Sequence, residues 1–194
     1  MMSVSKVNKM VVVAMLAAIS FVLIFIDFPI LPGFSFLKID FADVPVLIGT
    51  VLFGPVWGMV TAGLAGLMDI ILRDSNPAGA LGAFANWLAA LSYILPIYYA
   101  IKAVQGSTHK KEVGALIKGV LIGSVLMTVF MSVINLFILL PLYMKLASFQ
   151  INVSTLNMVL YGVVPFNLLK GIIVGIAIGL VYFRLIPIIR RASN

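Results

Sequence analysis

Cysteine is absent from the 194 residues, and histidine occurs once. The first absence excludes a disulfide framework and any zinc or iron–sulfur centre built on thiolates. Charge is scarce too: Asp, Glu, Lys and Arg make up 10% of the chain, against about 25% in a soluble domain. Disorder needs the opposite composition, and the glycines follow no collagen-like period. No Gly-x-x-x-x-Gly-Lys-Ser/Thr phosphate loop occurs, so ATP is not bound by that route, and pumping of any kind needs another subunit for its power. His-Glu-x-x-His is missing, and the single histidine, His109, sits in a polar stretch. Neither a serine–histidine arrangement nor a magnesium-holding acid cluster stands at membrane depth. An enzyme is therefore the weaker class.

What is present is apolar: 63% of the residues are hydrophobic, more than a water-soluble fold of this size can hide. A membrane-crossing helix takes about 20 residues, so six crossings use about 120 and leave short loops. The expectation is one all-α membrane domain over 1–194 with six transmembrane helices. The first segment, 9–26, is closed by Asp27, Pro29 and Pro32. Lys6 and Lys9 precede it as in a secretory signal, but no small-x-small cleavage site follows, so it reads as a retained helix. The stretch 44–72 is too long for one crossing and is broken at Gly54-Pro55, which suits two short or tilted helices. Clean spans follow at 81–101, 114–142 and 158–187.

Six spans put both termini on one side. Lys6, Lys9, Lys102, Lys110, Lys111, Lys118, Arg184, Arg190 and Arg191 fall on that face with Glu112 as its acid. The other face carries Lys38, Arg73 and Lys145 among Asp27, Asp40, Asp43 and Asp74. Basic residues accumulate on the cytoplasmic side of membranes, so both termini are expected there. The net charge of +7 is thus a topology signal and a grip on anionic headgroups. It is scattered along membrane borders and does not form the single basic face that nucleic acid requires.

An ionisable group inside the bilayer costs about 2.5–3.5 kcal/mol at a helix centre on insertion scales, so Asp69 and Lys170 each need an account. Asp69 precedes Arg73 by four residues, and a helical ion pair suffices. Lys170 lies about twelve residues into the last span, roughly 18 Å from its outer end. No acid is within one turn of it. It contacts either backbone carbonyls or Asp69 from a neighbouring helix, or else a ligand. Asn167, three residues earlier, shares its face. Asn135 and Asn86 add amides that suit either interhelical bonds or an imide or polyol ligand. Asn135, Asn167 and Lys170 near one outward-facing level favour the ligand.

In the loop 33–43, Leu37, Ile39 and Phe41 alternate with Lys38 and Asp40, an extended pattern with more large apolar residues than a loop in water needs. It either packs across the helix ends or covers a cavity. The stretch 73–80 is a second cover or a plain turn. Small residues recur at Ala14 and Ala18 on the first helix and at Gly171, Gly175 and Gly179 on the last. The glycines suit internal packing and the alanines an external partner helix. Trp57 suits an interfacial belt, while Trp87 either stacks on a flat ligand or fills the core.

The segments Phe36-Leu-Lys-Ile-Asp-Phe-Ala-Asp-Val-Pro45, Gly54-Pro-Val-Trp-Gly58, Gly82-Ala-Phe-Ala-Asn-Trp-Leu88 and Asn167-Leu-Leu-Lys170 together resemble the riboflavin-specific S components of energy-coupling factor (ECF) vitamin transporters, the RibU family. The resemblance runs from the first span to the last. It implies a six-helix, multi-pass subunit of the bacterial plasma membrane with a pocket open to the outside. The implied partners are a transmembrane scaffold subunit and two cytoplasmic ABC-type ATPases. Riboflavin is then the transported ligand, and no cofactor is implied.

By matching position, Asn135, Asn167 and Lys170 resemble the residues that hold the flavin. The segment Phe36, Leu37, Lys38, Ile39 and Asp40 resembles the cover. Ala14 and Ala18 resemble an alanine motif that docks on the scaffold, although Met10 and Val22 stand where a three-alanine version would have its flanking members. Riboflavin has a flat three-ring system, an imide edge and a hydroxylated tail without charge. Phe36, Leu37, Ile39 and Trp87 supply apolar walls for it. Asn86, Asn135 and Asn167 offer donors and acceptors, and Lys170 donates to a carbonyl. Lys38 or Lys170 would favour a phosphate where either reaches the tail, which leaves FMN open as a second ligand. The alternatives are an S component for thiamine or biotin, a self-sufficient facilitator, and a membrane enzyme or assembly factor.

Overall fold

The computed structural model describes residues 6–34, 36–146 and 154–192, with side chains described as far as 184. The helices are α1 (Lys6–Ile24), α2 (Asp43–Phe53), α3 (Pro55–Leu72) and α4 (Pro77–Ala103), followed by α5 and α6. α5 runs unbroken over His109–Leu146 but widens into a π-helical turn at Asn135–Leu139. α6 joins Thr155–Met158, a second π turn at Val159–Val163, and Val164–Ala192. Five of these helices are long and apolar enough to cross a membrane. α2, at 11 residues, is only about 16 Å long, shorter than the roughly 30 Å hydrocarbon core.

Local chemistry sets the boundaries. Gly54 takes φ 97° between α2 and α3, a conformation an L side chain resists, and Pro55 opens α3 where its missing N–H costs nothing. The two helices then fold back in backbone contact, because any Cβ on Gly58 would collide with the Thr50 side chain. Asn76 caps α4 by accepting a hydrogen bond from the Gly79 N–H at 2.9 Å, and Pro77 follows it. The stretch 77–80, expected as loop, is therefore the first turn of α4.

α2 packs against α1, α3, α4 and α6, so the shortest helix is the most enclosed. Ile39, Leu47, Tyr93, Ile97, Met127, Val174 and Ile178 form the centre of the core. α4, α5 and α6 are drawn together by small residues. A Cβ on Gly119 would lie 2.8 Å from the Ile97 Cα, and one on Gly175 would lie 2.9 Å from the Tyr93 hydroxyl. That hydroxyl donates to the Gly171 carbonyl at 2.5 Å, so Gly171 and Gly175 pack internally, whereas a Cβ on Gly179 would meet only Leu116, at an ordinary 3.5 Å. The outer surface exposes Val22, Leu67, Val129 and Ile176 among many other large apolar residues, a surface suited to lipid. On α1, Val13, Ala17 and Ser20 face inward, whereas Ala14 is exposed and Ala18 half-buried.

The α1–α2 connection is extended at Lys38–Ile39, within the alternating stretch, and turns before it. A two-residue strand β1 (Phe28–Pro29) pairs antiparallel with β2 (Lys38–Ile39), placing Phe28 opposite Ile39 and Pro29 opposite Lys38.

Candidate functional site

A cavity of about 290 Å³ opens at the end of the bundle that carries the α1–α2 and α3–α4 connections. Phe36, Leu37, Lys38 and Asp40 line it from the loop, Asn86 from α4, Asn135 and Tyr143 from α5, and Asn167 and Lys170 from α6. Eight of the ten substrate-site residues expected from the sequence therefore share one space. The other two lie beside it. Ile39 is fully buried in the core and pins β2 from behind. Trp87 lines an adjoining pocket of about 30 Å³, room for about one water. Its indole N–H donates to the Met59 carbonyl of α3 at 3.2 Å, and its ring stacks on Phe84.

The amides keep bonding capacity for this space. The side-chain NH₂ of Asn167 donates to the Val163 carbonyl, and that of Asn135 to the Met131 carbonyl, each at 2.8 Å. An amide has two N–H donors and an accepting oxygen, so each retains one N–H and its carbonyl with no further partner among the described residues. Asn167 is buried, with 4% of its surface exposed. Asn86 faces the cavity with its whole amide unspent.

Lys170, only 3% exposed, lies 3.8 Å from an Oδ2 of both Asp40 and Asp43. The sequence reading left either a carbonyl, Asp69 or a ligand as its partner; the acids it meets are not Asp69 but come from the loop and the first residue of α2. Asp40 also accepts from the Ala42 N–H at 2.9 Å, which fixes its carboxylate. Asp43 is a residue the sequence reading missed. Its remoteness along the chain hid the pairing, although an acid opening an apolar helix was a visible signal.

The mouth is charged as well. Asp69 and Arg73 form the expected pair at 3.0 Å. Arg73 also reaches Asp27 at 3.4 Å and donates to the Ile24 carbonyl at 3.0 Å. Lys38 pairs with the same Asp27 at 3.0 Å. Asp27 thus clamps the loop to α1 and α3. Every cation lining the cavity already faces a carboxylate, and Asp27, Asp40, Asp69 and Asp74 outnumber Lys38, Arg73 and Lys170. Among the described residues no group of three or more acids or histidines is placed to hold a metal ion. The space thus combines apolar and aromatic side chains with three amides and a set of mutually paired charges.

A family model described as the substrate-specific component of ECF transporters matches residues 8–182. The riboflavin transporter RibU of Staphylococcus aureus (strain TCH60) is 36% identical over 187 residues, covering 95% of this chain and 93% of that protein. The riboflavin transporter FmnP of Bacillus subtilis (strain 168) is 34% identical over 192 residues, 97% of each. The fold agrees with a solved S component of a bacterial ECF transporter at a TM-score of 0.75 and 36% identity, covering 95% of this chain and 99% of that one. With sequence and backbone matching nearly from end to end, this apolar helical chain belongs to the substrate-specific components of ECF transporters, which are multi-pass membrane transport subunits and not enzymes.

Proposed function

We propose that the chain captures riboflavin from outside the cell and delivers it through an ATP-driven ECF complex. The observation that carries this reading is the convergence of Asn86, Asn135 and Asn167, with unspent amide groups, on one partly aromatic cavity. The names of the two relatives point to the same ligand. The imide edge of a flavin alternates carbonyl acceptors with one N–H donor. A carboxamide supplies the complement of both, whereas a lysine can only donate. Asn135 and Asn167 therefore take the imide edge, Lys170 donates to a ring carbonyl, and Asn86 meets the hydroxylated tail. Phe36 and Leu37 close on the ring face.

In this reading both termini are cytoplasmic, and the chain crosses six times. α2 starts at the buried Asp43 and descends beside α1, the segment before it completing that crossing, and α3 returns from the Gly54 turn. The segment 33–43 is the cover. Its strand pairing with Phe28–Pro29 and the Lys38–Asp27 contact hold it across the mouth. Reorientation in the plasma membrane is driven by a scaffold subunit with two ABC-type ATPases, docked through the exposed Ala14 and the half-buried Ala18 of α1.

Titration of the purified protein with riboflavin, followed by quenching of flavin fluorescence, tests the proposal. Saturable quenching, and a yellow colour retained through purification, are expected. Absence of both, with thiamine or biotin raising thermal stability instead, would transfer the fold to another vitamin.

A further inference from the structure

A second cavity lies on the opposite flank of α6. It is an open groove of about 480 Å³ between α5 and α6. Leu116, Val120, Gly175 and Gly179 form its floor, Ile176 stands on its wall, and Arg184 is the one charged residue among those that line it. The two floor glycines differ in kind. Gly175 is required by packing, because a Cβ there would lie 2.5 Å from Val120 Cγ1. A Cβ on Gly179 would meet only Leu116 Cδ2, at an ordinary 3.5 Å. Helix packing therefore leaves the space above Gly179 open.

Length and charge select an occupant. From Ile172 to Arg184 the helix rises about 18 Å, close to half of the roughly 30 Å hydrocarbon core, the depth of one leaflet. The groove begins near the middle of the bundle, just past Lys170 on α6, and ends toward the chain termini. Arg184 is exposed and has no carboxylate or other polar partner among the described residues. Exposed Lys110 and Lys111 open the neighbouring α5 at the same end. A straight apolar slot one leaflet deep, closed by an unpaired guanidinium, fits a single acyl chain that carries a negative headgroup. We propose that this groove seats one anionic phospholipid from the leaflet on the side of the termini, with its acyl chain over Gly179 and its phosphate on Arg184. The proposal does not depend on the identity of the vitamin.

Electron spin resonance in bilayers of phosphatidylcholine and phosphatidylglycerol (7:3), with spin-labelled versions of each lipid, tests it. At this one site phosphatidylglycerol should be favoured about fivefold, the equivalent of the ~1 kcal/mol that one basic residue contributes near an anionic surface, read as an excess of immobilised phosphatidylglycerol of up to about one lipid per protein over the rest of the lipid shell. Arg184→Gln should abolish that preference, while Lys118→Gln, a control outside the groove, should not. Gly179→Leu, which fills the slot, should shrink the immobilised population for both lipids. Riboflavin binding at the other end of the bundle serves as the check that each variant is folded, with circular dichroism and gel filtration as a second check independent of the ligand. Equal preference in the wild type and Arg184→Gln, or an equal loss in Lys118→Gln, would overturn the headgroup contact. An immobilised population unchanged by Gly179→Leu in a folded variant would overturn the groove, and displacement of the lipid by added scaffold subunit would assign it to a protein instead.

Discussion

Replacing Asn167 by alanine separates the structural and ligand-binding duties of one side chain. The amide is 4% exposed, so a flavin group facing it is shielded from water. When the amide is removed, that group is left buried without a partner, at a cost of about 1–3 kcal/mol. The dissociation constant should therefore rise by roughly 5- to 150-fold. The amide's other bond, 2.8 Å to the Val163 carbonyl, is made without ligand and is expected to be kept when a ligand takes the amide's remaining groups. Its loss lowers the stability of both states and drops out of the binding difference. Flavin-fluorescence titration gives the first quantity, and thermal unfolding in detergent without ligand gives the second. A folded Asn167→Ala protein with wild-type affinity would refute the assignment of this amide to the pocket, however well its stability loss matched.

Three further outcomes follow from the same geometry. Lys170→Met leaves Asp40 and Asp43 buried without their cation and should cost about 3–5 kcal/mol of stability; adding Asp43→Asn should restore part of it, and a single variant as stable as wild type would show that the triad contributes nothing. FMN should bind roughly tenfold or more weakly than riboflavin, because its phosphate brings a charge of about −1.5 to −2 into a cavity whose cations are already paired; competition titration measures the ratio, and equal affinity would show that a cation is released on binding. Ala14→Leu with Ala18→Leu should reduce co-purification with the scaffold subunit while leaving riboflavin binding intact, since Ala14 is exposed on α1 far from the cavity; retained assembly would place the docking face elsewhere.

The architecture was largely legible because it is written in local signals. Gly54-Pro55 announces a helix break, the alternation around Lys38 and Ile39 announces an extended segment, and Gly171 and Gly175 announce a close helix contact, which the third glycine of the stripe, Gly179, does not share. Each depends on neighbours within a turn or two. The start of α4 was misjudged because Pro77-Ala-Gly-Ala80 has the composition of a turn, and only the Asn76 cap bonded to Gly79 reveals it as helix. The partners of Lys170 were illegible for a different reason. Asp40 and Asp43 belong to another element, and nothing local to α6 records that α2 is folded into the middle of the bundle. For Trp87 the sequence left two readings, a ligand wall or core filling; its N–H bond to Met59 ties it to the α3–α4 contact, while it lines the pocket adjoining the cavity.

The π turns explain why spacing alone was an incomplete guide to the site. In an ideal α-helix, residues eight apart point about 80° away from each other. Asn135 and Tyr143 are so spaced, yet both line the cavity. Between them, Leu140 N–H donates to the Asn135 carbonyl five residues back, which places one extra residue in the turn and brings the phase difference to about 20°. The same expansion in α6 ends at Val163, where the Val164 N–H bonds to the Val159 carbonyl; immediately afterwards Val163 takes the Asn167 amide on its own carbonyl. The two wide turns pack against each other beside the cavity. A π turn is less favourable than an α turn and recurs at functional sites. Here it aligns polar side chains from a helix whose remaining faces must stay apolar for lipid and core. A long apolar helix thus presents an amide and a phenol to one cavity, and the cost of the wider turn is confined to the level where that cavity lies.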